Sequence, residues 1–201
     1  MTGDGTLQVR SASEVVIVCL WVAWWISWSV AALWRDRASK QPPLGSQIGY
    51  RLLGIAGFLL LFASLYPPAD VPLWRVPDAI QWAFVGLGAA GFAFAWWARI
   101  HLGRLWSSNV GRKADHRIVD TGPYGIVRHP IYTGIILASA STAVLRATAG
   151  AWLGMVLLTV GWYVKARLEE RFLREQLGAD RYGAYATRVP MLVPRLLFRT
   201  R

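Results

Sequence analysis

The chain has 201 residues, 55% of them hydrophobic and twelve of them Trp, and yet a formal net charge of +11. So apolar a composition with so few acidic groups excludes an ordinary soluble domain. The basic residues flank apolar runs and do not gather on one polar face, so nucleic-acid binding is not expected.

Residues 15–33 form the first apolar run, close to the ~20 residues a helix needs to cross the hydrocarbon. Arg35 and Arg37 follow it, and no small-residue cleavage site stands out, so an anchor is expected and not a removed leader. Trp21, Trp24, Trp25 and Trp28 recur at helical spacing on one face, which reads as packing or lipid contact ahead of a substrate cavity. A second run, 52–66, is stopped by Pro67-Pro68. The third, 79–100, carries Gly86, Gly88 and Gly91, small residues that let a neighbouring helix come close. Runs 131–145 and 149–164 are shorter and are separated by Arg146, Thr148 and Gly150, which predicts a tight helical hairpin accommodated by tilt or local thinning.

Lys and Arg crowd the first and third loops and the C-terminal tail, whereas the second loop has Arg75 against Asp70 and Asp78. By the positive-inside rule the N-terminus is outside and the basic loops are cytoplasmic. The expected fold is an all-α integral membrane protein with five transmembrane helices, the fourth and fifth a hairpin. A cytoplasmic loop and an amphipathic C-terminal helix complete it. Residues 1–100 make a three-helix membrane part and 101–201 a catalytic part, packed as one integrated domain, with a prokaryotic inner membrane as the expected location. Cys19 is the sole cysteine, and His101, His116 and His129 lack paired spacing, so no metal site is expected.

The polar third of the chain carries the chemistry. Gly122-Pro123-Tyr124 marks a turn, and Arg128-His129-Pro130-Ile131-Tyr132-Thr133-Gly134 sits at the start of the fourth helix. Pro130 suits a first helical position, and the helix's free N–H groups form a seat for an anion. An Arg, a His and two Tyr at a membrane edge are costly unless a ligand or cavity uses them. Beyond the fifth run, Lys165 to Leu173 continues the helix, with Arg167, Glu169, Glu170, Arg171 and Arg174 beside an apolar stripe of Leu168, Phe172, Leu173 and Leu177. Gly178 is expected to stop it, and Asp180 to cap a short turn bearing Tyr182 and Tyr185, before Val189-Pro190.

These segments resemble the isoprenylcysteine carboxyl methyltransferase family and its phospholipid-methyltransferase relatives over residues 100–194. The residues that carry the resemblance are Leu102-Gly103, His116, Ile118-Val119, Gly122-Pro123-Tyr124, Arg128-His129-Pro130 with Tyr132 and Gly134, Glu169-Glu170, and Gly178 with Tyr182, Tyr185 and Val189-Pro190. The resemblance implies an integral membrane methyltransferase that uses S-adenosylmethionine without a soluble dinucleotide fold. It places the cofactor among His116, Ile118, Val119, Gly122, Tyr124, His129, Pro130, Tyr132 and Glu169 or Glu170. Arg128 and Arg167 would hold the cofactor carboxylate or orient the acceptor, with Glu170 as a further catalytic candidate.

Methyl transfer from a sulfonium is an in-line displacement in which the protein aligns reactants and excludes water. A carboxylate acceptor needs no base and favours a nearby cation. A thiol or amine must lose a proton, which would fall to Glu170 or His101. The surrounding Arg128, Arg167 and Arg171 favour an anionic acceptor, hence a lipid-linked carboxylate arriving from the bilayer. The alternatives are a phospholipid amine, a thiol or a phenol, or a non-catalytic transporter or anchor. Bilayer lipids and the lipophilic acceptor are the expected partners.

Overall fold

The computed structural model describes residues 11–32, 44–62, 71–103 and 118–195, and among them it is helical, with no strand. His116 and the basic loop around it lie outside the described residues, as do Pro67 and Pro68.

Helix α1, Ala12–Ala32, starts where the Ser11 hydroxyl accepts from the Glu14 amide at 3.3 Å. Helix α2 spans Leu44–Phe62, beginning eight residues before the apolar run read at 52, because Gln47, Tyr50 and Arg51 extend it as polar turns. Helix α3 is Asp78–Leu102 and ends at Gly103 with φ +53°. A one-turn helix, α4, Pro123–Ile126, occupies what the sequence marks only as a turn, with Pro123 in its first position.

Helix α5, Pro130–Arg146, has His129 as N-cap and Pro130 as its first residue, the arrangement expected from the His-Pro step. Only Ala147 and Thr148 separate it from α6, Ala149–Leu177, whose start is capped by the Thr148 hydroxyl accepting from Ala151 N at 3.2 Å. Helix α6 runs unbroken from the apolar segment through Lys165 and the Glu pair to Gly178, which stops it as expected. Helix α7 is Ala179–Arg188. Asp180 does not cap it; Gly178 holds the cap position and Asp180 falls in the first turn.

By length and composition, α1, α3 and α6 are able to cross a membrane, whereas the apolar part of α2 is shorter. Contacts fix the helix directions. Ile17 meets Gly88, Trp24 stacks on Phe92, Trp28 meets Trp96 and Arg99 reaches Ala31, so α1 runs parallel to α3. Gly88 faces Ser141 whereas Ala95 faces Gly134, so α3 and α5 are antiparallel. Gly57 faces Leu158 and Tyr50 faces Gly161, so α2 and α6 are also antiparallel. With the two-residue link reversing α5 into α6, these five helices alternate in direction along the chain. The N-termini of α2 and α5 and the C-termini of α1, α3 and α6 therefore share one end.

The core lies between these helices. Trp21, 3% exposed, is enclosed by Phe58, Phe62 and Phe92 and donates its indole N–H to Thr142 Oγ1 at 2.9 Å. Trp25 on the same helix is 54% exposed, so the Trp stripe divides between packing and the outer surface. Gly91 and Gly134 bring α3 and α5 into backbone contact: a Cβ on Gly91 would lie 2.6 Å from Gly134 O, and one on Gly134 would press on Gly91 O. Gly134 therefore makes room for another backbone.

Candidate active site

The shared end gathers the polar residues of α5, α6, α7 and the 118–129 loop. His129 lies at the entrance of α5, and the acidic pair lies about two turns before the end of α6. Residues 42 apart in sequence, Arg128 and Glu170, meet here because α5 and α6 reverse on each other.

Arg128 donates from Nε to Glu170 Oε1 at 2.8 Å and from Nη1 to the carbonyls of Ala186, at 2.9 Å, and Val189. His129 brings its ring between the two carboxylates, with Nε2 3.2 Å from Glu170 Oε1 and Nδ1 3.6 Å from Glu169 Oε2. An imidazolium would donate toward both. Tyr132, one turn into α5, stacks on His129 at 5.4 Å with ring planes 6° apart, and its hydroxyl donates to Glu169 Oε1 at 2.6 Å.

The two acids differ. The Glu170 side chain is 4% exposed and held by both Arg128 and His129, so it braces the cluster. The Glu169 side chain is 20% exposed, and its Oε2 faces His129 at the longer distance. It is the more exposed of the two carboxylates.

The segment after α7 straps the entrance of α5. Arg128 N donates to Pro190 O at 2.8 Å and His129 N to Met191 O at 3.1 Å, and Thr133 Oγ1 donates to Leu192 O at 2.7 Å. The Tyr185 hydroxyl donates to Tyr124 O at 2.8 Å, joining α7 to α4. Ile118 packs on Tyr182, Tyr185 and Val189, whereas Val119 packs on the main core, so this short run ties α7 to the bundle. Burial pushes the phenols of Tyr124, Tyr182 and Tyr185 well above their usual range, with the Glu169 charge adding to the effect at Tyr124. All three stay neutral at physiological pH.

Gly122 has φ +57°, and a Cβ there would sit 2.8 Å from the His101 ring. That close fit seats His101 against the loop, where Nε2 pairs with Thr121 Oγ1 at 3.0 Å and the ring stacks on Tyr124 at 6.5 Å. Arg188 pairs with Asp120 at 3.3 Å on the outer rim.

Of the residues singled out from sequence, Arg128, His129, Pro130, Tyr132, Glu169 and Glu170 come together in one cluster. Ile118 and Val119 pack on α7 and on the main core, Gly122 seats His101, and Tyr124 lies close enough to feel the Glu169 charge. Arg167, on α6, is exposed. His116 is outside the described residues. Sequence reasoning passed over the backbone strap of residues 190–192, which no side-chain pattern announces. It also passed over Lys165, although Trp162, Lys165 and Glu169 have the spacing of one helix face.

These residues define a class: a helical membrane protein whose last two long helices close an aromatic and acidic cluster with a C-terminal strap. The sequence model of the Isoprenylcysteine carboxyl methyltransferase (ICMT) family matches residues 84–175, and this segment is of that family, as its motifs led one to expect. Methanethiol S-methyltransferase 2 of Bradyrhizobium diazoefficiens is 32% identical over 173 residues, covering 81% of this chain and 65% of the relative. A Methanethiol S-methyltransferase of a Pseudomonas species is 40% identical over 184 residues, 86% of this chain and 64% of the relative. Protein-S-isoprenylcysteine O-methyltransferase B of Arabidopsis thaliana is 30% identical over 86 residues, covering 42% of this chain and 43% of that protein. The chain thus spans just under two thirds of the first two relatives and less than half of the third.

Proposed function

We propose that the protein is an integral membrane methyltransferase that takes its methyl group from S-adenosylmethionine and passes it to a small or lipid-borne anionic acceptor. The observation that carries this reading is the closure of His129, Tyr132, Glu169 and Glu170 into one cluster at the end of α6. A carboxylate left partly open beside stacked aromatic rings suits a ligand that bears cationic centres. The positive end of α5 nearby suits that ligand's carboxylate.

Glu169, His129, Tyr132 and Pro130 would hold the cofactor, with Ile118, Val119, Gly122 and Tyr124 on its loop side and His116 and Arg167 as further candidates. When bound, S-adenosylmethionine supplies a methyl group already activated on a sulfonium. The chain's own residues then have three tasks. Glu170 fixes the Arg128 and His129 side chains, so the cluster is set before ligands arrive. Tyr132 orients Glu169 through its 2.6 Å bond. The 190–192 strap and the Tyr182–Tyr185 face of α7 cover the cluster and exclude water.

The acceptor is a thiol or a carboxylate. Relatives named for methanethiol favour a thiol, whereas the plant relative named for isoprenylcysteine fits the lipid-linked carboxylate expected from the sequence. The alternating helices and the concentration of Arg in the sequence at the site end support a reading of five crossings, with the N-terminus outside and the site at the cytoplasmic end, in an inner membrane of prokaryotic type.

Calorimetric titration of the purified chain with S-adenosylhomocysteine tests the reading. Wild type should bind. Glu169→Gln should weaken binding about tenfold, the loss of one charge-assisted hydrogen bond, while leaving the fold intact. His129→Ala should weaken it at least as much. Absence of binding by wild type refutes the enzyme, and unchanged binding by both variants refutes the site.

A further inference from the structure

Helix α6 has one exposed face, and its chemistry changes along the rod. Among residues 153–174 the exposed positions are Leu153, Val156, Val160 and Tyr163, followed by Arg167, Arg171 and Arg174. At about 100° per residue they all fall within an arc of about 80°, so they form one stripe. Its first part is apolar, Tyr163 joins a ring to a hydroxyl, and the remainder is arginine with no acid on the stripe. Neither Arg167 nor Arg171 has an ion-pair partner among the described residues. Arg174 lies over the Tyr182 ring, 5.7 Å from its centre.

The lengths fit a bilayer. Helix α6 has 29 residues, about 43 Å of helix, whereas the hydrocarbon core is about 30 Å thick. With Ala149 at the opposite boundary, Tyr163 stands about 21 Å along the axis, Arg167 about 27 Å and Arg171 about 33 Å. The two arginines straddle the level of the lipid phosphates, and Tyr163 lies just beneath, where amphipathic rings are favoured. A face whose lower part meets acyl chains has headgroups as its neighbours at this height. A guanidinium on a long stem reaches them and takes a phosphate through two parallel N–H donors.

We propose that Arg167 and Arg171 bind the phosphate of an anionic phospholipid in the leaflet at the site end, with an acyl chain along Val156, Val160 and Tyr163. A zwitterionic headgroup brings an ammonium beside its phosphate, so a lipid of net negative charge is preferred. Glu169 and Glu170 occupy the turn between the two arginines, and a lipid bound there holds the acidic pair at the membrane boundary. The inference rests on α6 crossing the bilayer and is independent of methyl transfer. It gives Arg167 a partner outside the cluster.

The test counts bound lipid. The full chain in nonionic detergent is titrated with phosphatidylglycerol, phosphatidylcholine and inorganic phosphate, and the complexes are weighed by native mass spectrometry. Wild type should bind phosphatidylglycerol about twentyfold more tightly than phosphatidylcholine, about fivefold for each arginine. Arg167→Gln and Arg171→Gln should each remove about fivefold, and the double variant should remove the preference. Arg181→Gln, at an exposed position on α7, should leave it unchanged. Persistence of the preference in the double variant overturns the proposal, as does an equal loss in Arg181→Gln or displacement of the lipid by an equal concentration of inorganic phosphate. Titration of the same preparations with S-adenosylhomocysteine separates the two readings. Wild type that prefers phosphatidylglycerol but ignores S-adenosylhomocysteine overturns methyl transfer and leaves the lipid face standing. Arg167→Gln that loses S-adenosylhomocysteine binding but keeps the lipid preference returns Arg167 to the cluster and overturns the lipid proposal.

Discussion

Arg128 joins two structures at once. Its Nε holds the buried Glu170 carboxylate, and its Nη1 holds carbonyls at the end of α7. Replacing it with Met would leave Glu170 with His129 as its remaining partner, and removing one member of a buried ion pair costs roughly 3–5 kcal/mol. Arg128→Met should therefore lower the unfolding temperature sharply in detergent. Arg128→Lys should preserve much of the pairing but lose the fork to Ala186 and Val189, because a lysine is a point charge without a planar array of donors. Limited proteolysis should show the chain beyond α7 cut faster in Arg128→Lys than in wild type, and equal cutting would argue against a strap held by this side chain. From sequence, Arg128 and Arg167 look equivalent, two cations near one acidic pair. Only the folded structure separates them, placing Arg128 against Glu170 and leaving Arg167 exposed.

At the level of elements, the α3–α5 contact is the least forgiving. Gly134→Val would drive two methyl groups into the Gly91 backbone, and overpacking of this kind costs typically 1–3 kcal/mol or more. Loss of folded protein on size-exclusion chromatography is expected, with no selective change in ligand affinity. Helix α7 is expected to respond to pH. Tyr182 and Tyr185 have phenols raised above the ordinary 10.0 by burial, so the folded state favours their neutral form. Their contribution is complete below pH 10.0 and declines as pH rises beyond it. Protease sensitivity near Gly178 should rise above that pH, and Tyr185→Phe should blunt the rise.

Element positions were largely legible in the residues. The His-Pro step announces the start of α5, because the proline ring fixes its own φ, and Gly178 announces the end of α6, because without a Cβ it takes up a positive φ. The start of α2 was less visible, since Gln47 and Arg51 carry no apolar signal and are held by bonds made only after folding. The strap of residues 190–192 was invisible for a related reason: backbone carbonyls have no sequence signature.

For the whole molecule, the alternation of α1, α2, α3, α5 and α6 implies that their ends face opposite sides in turn. Cysteines placed singly at Asp78 and at Arg181, in a Cys19→Ser background, should label from opposite faces of intact vesicles with a membrane-impermeant maleimide. Labelling from the same face would refute the five-crossing topology. The expectation at this scale came from charge: in the sequence Lys and Arg crowd the first and third loops and the tail, while the second loop has Arg75 against Asp70 and Asp78.

Helix α6 is a single rigid rod carrying Trp162, Lys165, Glu169 and Glu170. Such a rod is intolerant of changes in length. One residue inserted between Lys165 and Glu169 would swing everything downstream by about 100°, turning the carboxylates off His129 while the far end stayed in place. The same insertion just after Gly178 would fall in a joint where the chain already changes direction. Natural variation in the number of residues should accordingly be confined to the joints and shut out of the rod.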